Sequence, residues 1–237
     1  MEDIAPLQPT PTPTGWGPSP YRPLRGPARV LAILLVLVTV ITAIGGVSDW
    51  LAFHRILGNT STAAAEWPRQ RLIAALQGVT YLATVTGFLV WFHRAYTNLH
   101  ALGMEPLRFG AGWAVGGWFV PILNLVRPKQ IMNDIWRGSD PAAPASNDGA
   151  WHRAPVPALL QLWWALFLMS WLVDRLLVGS ALFYEPTARA RRGTFVDNIV
   201  IRAVEVLLGI VAVLVVRQVT RRQQARAAGL AGDRQFR

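Results

Sequence analysis

Four long apolar blocks limit what this chain can fold into. Val30 to Trp50 runs twenty-one residues with one charge, Asp49, near its end. Leu72 to Phe92, Val156 to Gly179 and Ile199 to Val216 are of similar length. A helix rises ~1.5 Å per residue, so about 20 apolar residues cross a ~30 Å hydrocarbon core. The blocks therefore predict membrane-spanning helices. The 52% hydrophobic content does not decide this; its concentration into blocks does. Arg22, Arg25 and Arg29 precede the first block, which is longer than the 7–15-residue apolar region of a signal peptide and so predicts a retained helix. In the second block, Ala74/Gly78 and Ala83/Gly87 have the spacing that lets helices approach closely.

A fifth apolar stretch breaks the pattern. Gly112 to Arg127 would make a helix of only ~24 Å. Pro121 removes a backbone donor and clashes with the preceding turn, and Gly112, Gly116 and Gly117 loosen its start. From Lys129 the pattern turns amphipathic. Ile131, Met132, Ile135 and Trp136 share one helical face, and Gln130, Asn133, Asp134 and Arg137 share the other. This predicts a segment that dips into a membrane and leaves along its surface.

Charge distribution chooses between four and five crossings. If the broken stretch re-enters, fifteen Lys and Arg fall on the cytoplasmic side and six outside; if it crosses, the counts are eight and thirteen. The positive-inside rule selects the first. The expected fold is all-α: a polytopic membrane bundle of four transmembrane helices, a broken re-entrant segment covered by them, and an interfacial amphipathic helix. Both termini are cytoplasmic. Residues 1–27, with eight prolines and no apolar period, read as a disordered tail. Residues 28–217 form the membrane domain and 218–237 a basic tail. The net charge of +10 lies in loops and tails beside apolar blocks, which points to membrane topology rather than nucleic acid.

Two polar groupings are expected. Asp49, Asp174, Arg175, Arg202 and Glu205 fall near the outer ends of their helices. Charges in lipid are costly and pair, so Asp174 is expected on Arg202 and Arg175 on Glu205, with Asp49 nearby. At the cytoplasmic side, Arg94, Asn98, Asn124 and Arg127 are expected in one cluster roofed by Trp118 and Trp136. Its roles would be to satisfy the broken backbone and to grip a lipid phosphate or small anion, which suits paired guanidinium groups.

Enzyme chemistry finds no foothold. There is no Gly-x-Ser-x-Gly, phosphate-binding loop, His-Glu-x-x-His or cysteine. His93 and His100 share a face but lack further ligands, so neither metal nor cofactor is expected. Asp174 and Glu205 each have a cation close by, which favours ionised pairs over shared-proton catalysis.

The string Trp91-x-x-Arg94-x-x-x-Asn98, then Gly112-Trp113 through Trp118-Phe-Val-Pro121-Ile-Leu-Asn124-Leu-Val-Arg127-Pro128, then Ile135-Trp136-Arg137, resembles a bacterial membrane family catalogued as domain of unknown function 4328. The resemblance covers roughly residues 70 to 215 and implies no activity. The expected function is therefore a non-enzymatic organising role in the cell envelope through the lipid bilayer, an anionic lipid or protein contacts. The alternative is a small transporter or channel with its site at Pro121–Asn124, because broken helices carrying polar groups mark such sites.

Overall fold

The structure is a computed structural model that describes residues 20–58, 67–144, 148–181 and 188–235. The described chain is helix and turn, with no sheet. Its α-helices are α1 Arg25–Gly58, α2 Trp67–Ala101, α3 Trp113–Gly116, α4 Arg127–Gly138, α5 Ala158–Ala181 and α6 Ala188–Gln235. Three carry stretches long and apolar enough to cross a membrane: Arg25–Leu51, Arg71–Ala101 and Ile199–Gly232. In α5 the apolar stretch is Ala158–Val173. Hydroxyls within the apolar helices bond back to their own backbone. Thr39 Oγ1 donates to the Leu35 carbonyl at 2.6 Å, and Thr84 Oγ1 to that of Thr80 at 2.7 Å. This satisfies them without water or a neighbour.

The four long helices alternate in direction. Helix α1 lies between α2 and α6, and α5 packs on α6. Asp49 meets Arg202, Thr39 faces Gly209, and Arg25 meets Gln224, so α1 and α6 run antiparallel in a fixed register. A Cβ on Gly209 would collide with the Thr39 hydroxyl, so glycine permits this approach.

One end of the bundle is densely packed. There α1 begins, α2 ends, α5 begins and the second half of α6 passes. Trp91, Phe92, Tyr96, Leu99, Ile131, Met132, Ile135 and Val219 form its core. Helix α4 belongs to this core rather than lying along a surface. Its apolar face is buried as expected, but Asp134 on the face read as polar is 0% exposed. Residues 218–235 continue α6, with Gln223 and Arg226 buried against the same core. Helix α6 begins at Ala188, well before the last apolar block at Ile199. Residues 1–19 of the proline-rich tail lie outside the described residues.

Candidate functional site

The broken segment returns to the level at which it starts. It leaves Phe109 and comes back to Arg127, whose guanidinium carbon stacks 4.1 Å from the Phe109 ring centre and 5.0 Å from that of Trp113. In between it reaches as deep as Phe88, roughly 9 Å of helix beyond Arg94. Trp118 is its inward anchor, edge-on to Phe88 at 5.3 Å and Phe167 at 5.5 Å, with Phe92 and Trp164 around it.

The next residues face outward. Phe119, Val120, Pro121 and Ile122 are exposed, so the bundle does not cover this segment as the sequence suggested. The backbone meets part of its own needs instead. Phe119 N donates to Gly116 O, Asn124 N to Val120 O, Leu125 N to Ile122 O and Val126 N to Leu123 O, all within 3.0–3.1 Å. Consecutive turns reduce the need for cover, because the cost in hydrocarbon comes from unpaired groups and not from irregular shape.

The tip is strained. Ile122 has φ 68° and ψ −50°, and Leu123 N donates to Pro121 O at 2.8 Å. That is a γ-turn of the rare hand, with positive φ at its centre. A β-branched residue there is a genuine outlier, since glycine is the residue such a turn favours. Ile122 is nevertheless 79% exposed, so no packing inside the protein accounts for its side chain.

The four residues expected as one cluster are divided. Asn98 Oδ1 accepts from Arg22 N at 3.0 Å, and its Nδ2 donates to Arg22 O at 2.8 Å and Gln223 Oε1 at 2.9 Å. Arg94 Nη1 donates to Pro23 O at 3.4 Å. These two residues thus hold the strand that leads into α1. Arg127 serves the broken segment through aromatic stacking, and its stem fills the space beside Gly117. The buried Asn124 Oδ1 accepts no hydrogen bond. Among the described residues no hydrogen bond joins Arg94 or Asn98 to Asn124 or Arg127. Trp118 lies in the aromatic cluster, and Trp136 lies under Arg222, 4.2 Å from its guanidinium carbon. The roof drawn over the four is therefore absent as well.

Residues read as tail or surface do much of the fastening. Gln223 Nε2 donates to Ala95 O at 3.0 Å and Ser139 Oγ at 3.2 Å. Arg226 donates to the carbonyls of Leu102, Asp140 and Ala143, collecting acceptors left over just past the ends of α2 and α4. Lys129 Nζ donates to Leu160 O at 2.9 Å, and Arg137 Nε to Ala154 O at 2.6 Å. Burial, aided by the Arg137 charge, pushes the Lys129 ammonium down to about 8. Only glutamines and arginines on continued helical spacing beyond Val216 could have signalled this role.

At the opposite end, Arg202 pairs with Asp49. Its Nε lies 2.7 Å from Asp49 Oδ2, and its Nη1 donates to Gln77 Oε1 at 3.0 Å. Gln77 Nε2 donates on to Thr42 Oγ1 at 3.2 Å. The network ties α6, α1 and α2 together. A Cβ on Gly45 would lie 2.7 Å from Arg202 Nη1, so glycine makes room for the guanidinium. The side chains of Asp174 and Arg175 lie outside the described residues, and Glu205 makes contacts of its own. Among the described residues no group of His, Asp or Glu is placed to hold a metal ion.

Residues 54–221 match the family model described as a domain of unknown function (DUF4328). The match spans most of the chain, which therefore belongs to that family. No curated protein and no solved structure matches it.

Proposed function

We propose that this member of the family is a four-crossing, non-enzymatic membrane protein that organises the cell envelope by engaging the lipid of one leaflet. Both termini are cytoplasmic in this reading, and the densely packed end lies at the cytoplasmic interface. The segment from Trp113 to Val126 is a wedge entering the inner leaflet.

The observation that carries the reading is Ile122. Glycine would make its positive-φ turn without strain, and an exposed isoleucine gains nothing in water. A large apolar side chain there is stabilising only if it meets hydrocarbon, where it also brings Phe119 and Val120. Trp118 fixes the wedge to the bundle and Arg127 closes its base at the headgroup level. The transporter alternative, with its site at Pro121–Asn124, has less support, because Phe119, Val120, Pro121 and Ile122 are exposed rather than enclosed by the bundle.

The test uses the natural absence of cysteine. A spin label on Ile122→Cys in reconstituted bilayers should be accessible to oxygen and shielded from a water-soluble nickel chelate. Accessibility to the chelate would sink the wedge. A second label, on Arg153→Cys, should resist an impermeant maleimide added to intact cells. Labelling from outside would overturn the assigned orientation.

A further inference from the structure

One side of the α1–α6 pair carries a patch of four arginines that have no carboxylate partner among the described residues. Along α6, positions 207, 210, 214, 217, 221 and 224 recur in steps of three and four, which is one helical face. Leu207, Ile210 and Leu214 are exposed apolar side chains, and the exposed Arg217 and Arg221 continue the stripe. Along α1, the exposed Arg25 and Arg29 lead in the same way into the exposed Ile33, Val36 and Val40. The two stripes adjoin, because Arg25 Nε donates to Gln224 Oε1 at 3.1 Å.

The antiparallel register fixes their heights. Asp49 lies opposite Arg202, Thr39 opposite Gly209 and Arg25 opposite Gln224. Arg29 then stands level with Arg221, and Arg25 and Arg217 stand about one helical turn, ~5.4 Å, to either side. Among the described residues none of the four pairs with a carboxylate. Four guanidinium groups within one such band repel one another, and a shared anion relieves the repulsion. The apolar stripe begins where the arginines end. From Arg29 to Val40, and from Arg217 to Leu207, it extends ~15 Å, about half the thickness of a hydrocarbon core.

We propose that Arg25, Arg29, Arg217 and Arg221 bind the phosphate of an anionic phospholipid whose acyl chains lie along Ile33–Val40 and Leu207–Leu214. The site rests on the four-crossing reading and adds to it a ligand class, on the side of the bundle formed by α1 and α6. Planar guanidinium groups take phosphate oxygens two at a time, and arginines just beyond an apolar helix favour anionic lipid.

The test is lipid retention by the full chain. Purify it from nanodiscs holding equal phosphatidylglycerol and phosphatidylcholine, strip it with mild detergent, and measure bound lipid by native mass spectrometry. Phosphatidylglycerol should be enriched by about tenfold or more. Arg29→Gln with Arg221→Gln should abolish the enrichment, while Arg153→Gln, outside the patch, should leave it. Equal retention of the two lipids overturns the proposal. So does displacement of the lipid by inorganic phosphate, which would show a free-anion site. If the double variant cannot be purified, salt decides: enrichment that does not fall between ~0.1 M and ~1 M, as the screening length shrinks from ~10 Å to ~3 Å, overturns the proposal equally. Failure of the wild-type chain to enter nanodiscs would count against the membrane reading instead.

Discussion

Arg202 donates Nε to Asp49 Oδ2 across 2.7 Å, joining residues 153 positions apart in sequence. Gln77 Oε1 accepts a second hydrogen bond, from Nη1 of the guanidinium, so one arginine links three helices. Removing one partner leaves the other charged in an apolar setting, at a cost of about 2.5–3.5 kcal/mol for an unpaired charge at mid-membrane, and less towards the interface. Asp49→Ala and Arg202→Ala should each lower the unfolding temperature clearly. The double variant should be no worse than the poorer single one, because it strands no charge. Gly45→Ala should mimic the loss by displacing the guanidinium. Additive single effects in thermal unfolding would refute the pairing.

A second prediction concerns the proton between His152 and Asp134. His152 Nε2 lies 3.1 Å from the Pro106 carbonyl and its Nδ1 3.3 Å from Asp134 Oδ1. A carbonyl only accepts, so Nε2 carries a proton, and the contact at Nδ1 needs another. Burial raises the Asp134 carboxyl above its ordinary value, opposed by Arg108, His152 and Arg137. A raised folded value means that the folded state holds a proton which the unfolded chain has released. Stability from this pair is thus present at low pH and lost as pH rises through the folded value. Tyr96 is a further titratable group that feels the Asp134 charge. Asp134→Asn, whose amide donates to a neutral ring, should flatten that part of the pH dependence in thermal unfolding. An unchanged slope would count against a shared proton.

How much of this was legible in advance differs by element. The long helices were plain, because apolar blocks of spanning length have few other uses. The break in the fifth apolar stretch was also legible, from its glycines and Pro121, and the structure has no long helix there. Helix α4 was misread in part. Its polar face is covered by Arg108, His152 and the 154–160 carbonyls, which come from loops that helical periodicity cannot place. The charges at Asp49 and Arg202 were recognised, but choosing partners requires the helix register, which depends on glycines such as Gly45 and Gly209. Asn98 and Arg127 were expected in one cluster, yet each is occupied by a different neighbour.

Lys129 is the single lysine among twenty-three Lys and Arg, so its titration can be read without assignment. Its ammonium sits against Leu160 O with no carboxylate partner, and burial lowers it to about 8. Since the unfolded chain holds this proton up to the ordinary lysine value of 10.5, stability should rise as pH climbs from about 8 towards 10.5. Isotope-labelled reductive methylation should give one side-chain resonance that shifts near pH 8. The α-amino group is resolved by its own chemical shift. A midpoint near the ordinary lysine value would show that Lys129 is solvated.

The wedge predicts that two substitutions at one position are each better tolerated in detergent than in lipid. Ile122→Gly removes the strain of the positive-φ turn, worth about 1–2 kcal/mol for a residue with a Cβ. In detergent the unfolding temperature should hold or rise. The same change deletes the apolar side chain at the tip, whose full burial is worth about 1.5–3 kcal/mol. In bilayers the benefit should therefore shrink or reverse. Ile122→Asp should be tolerated in detergent far better than in lipid, because a carboxylate at that depth must be dragged from the headgroup layer. The measurement is the difference in thermal stability between detergent and nanodisc for each variant. If both variants respond alike in the two media, Ile122 does not meet hydrocarbon, and its strained turn has some other cause.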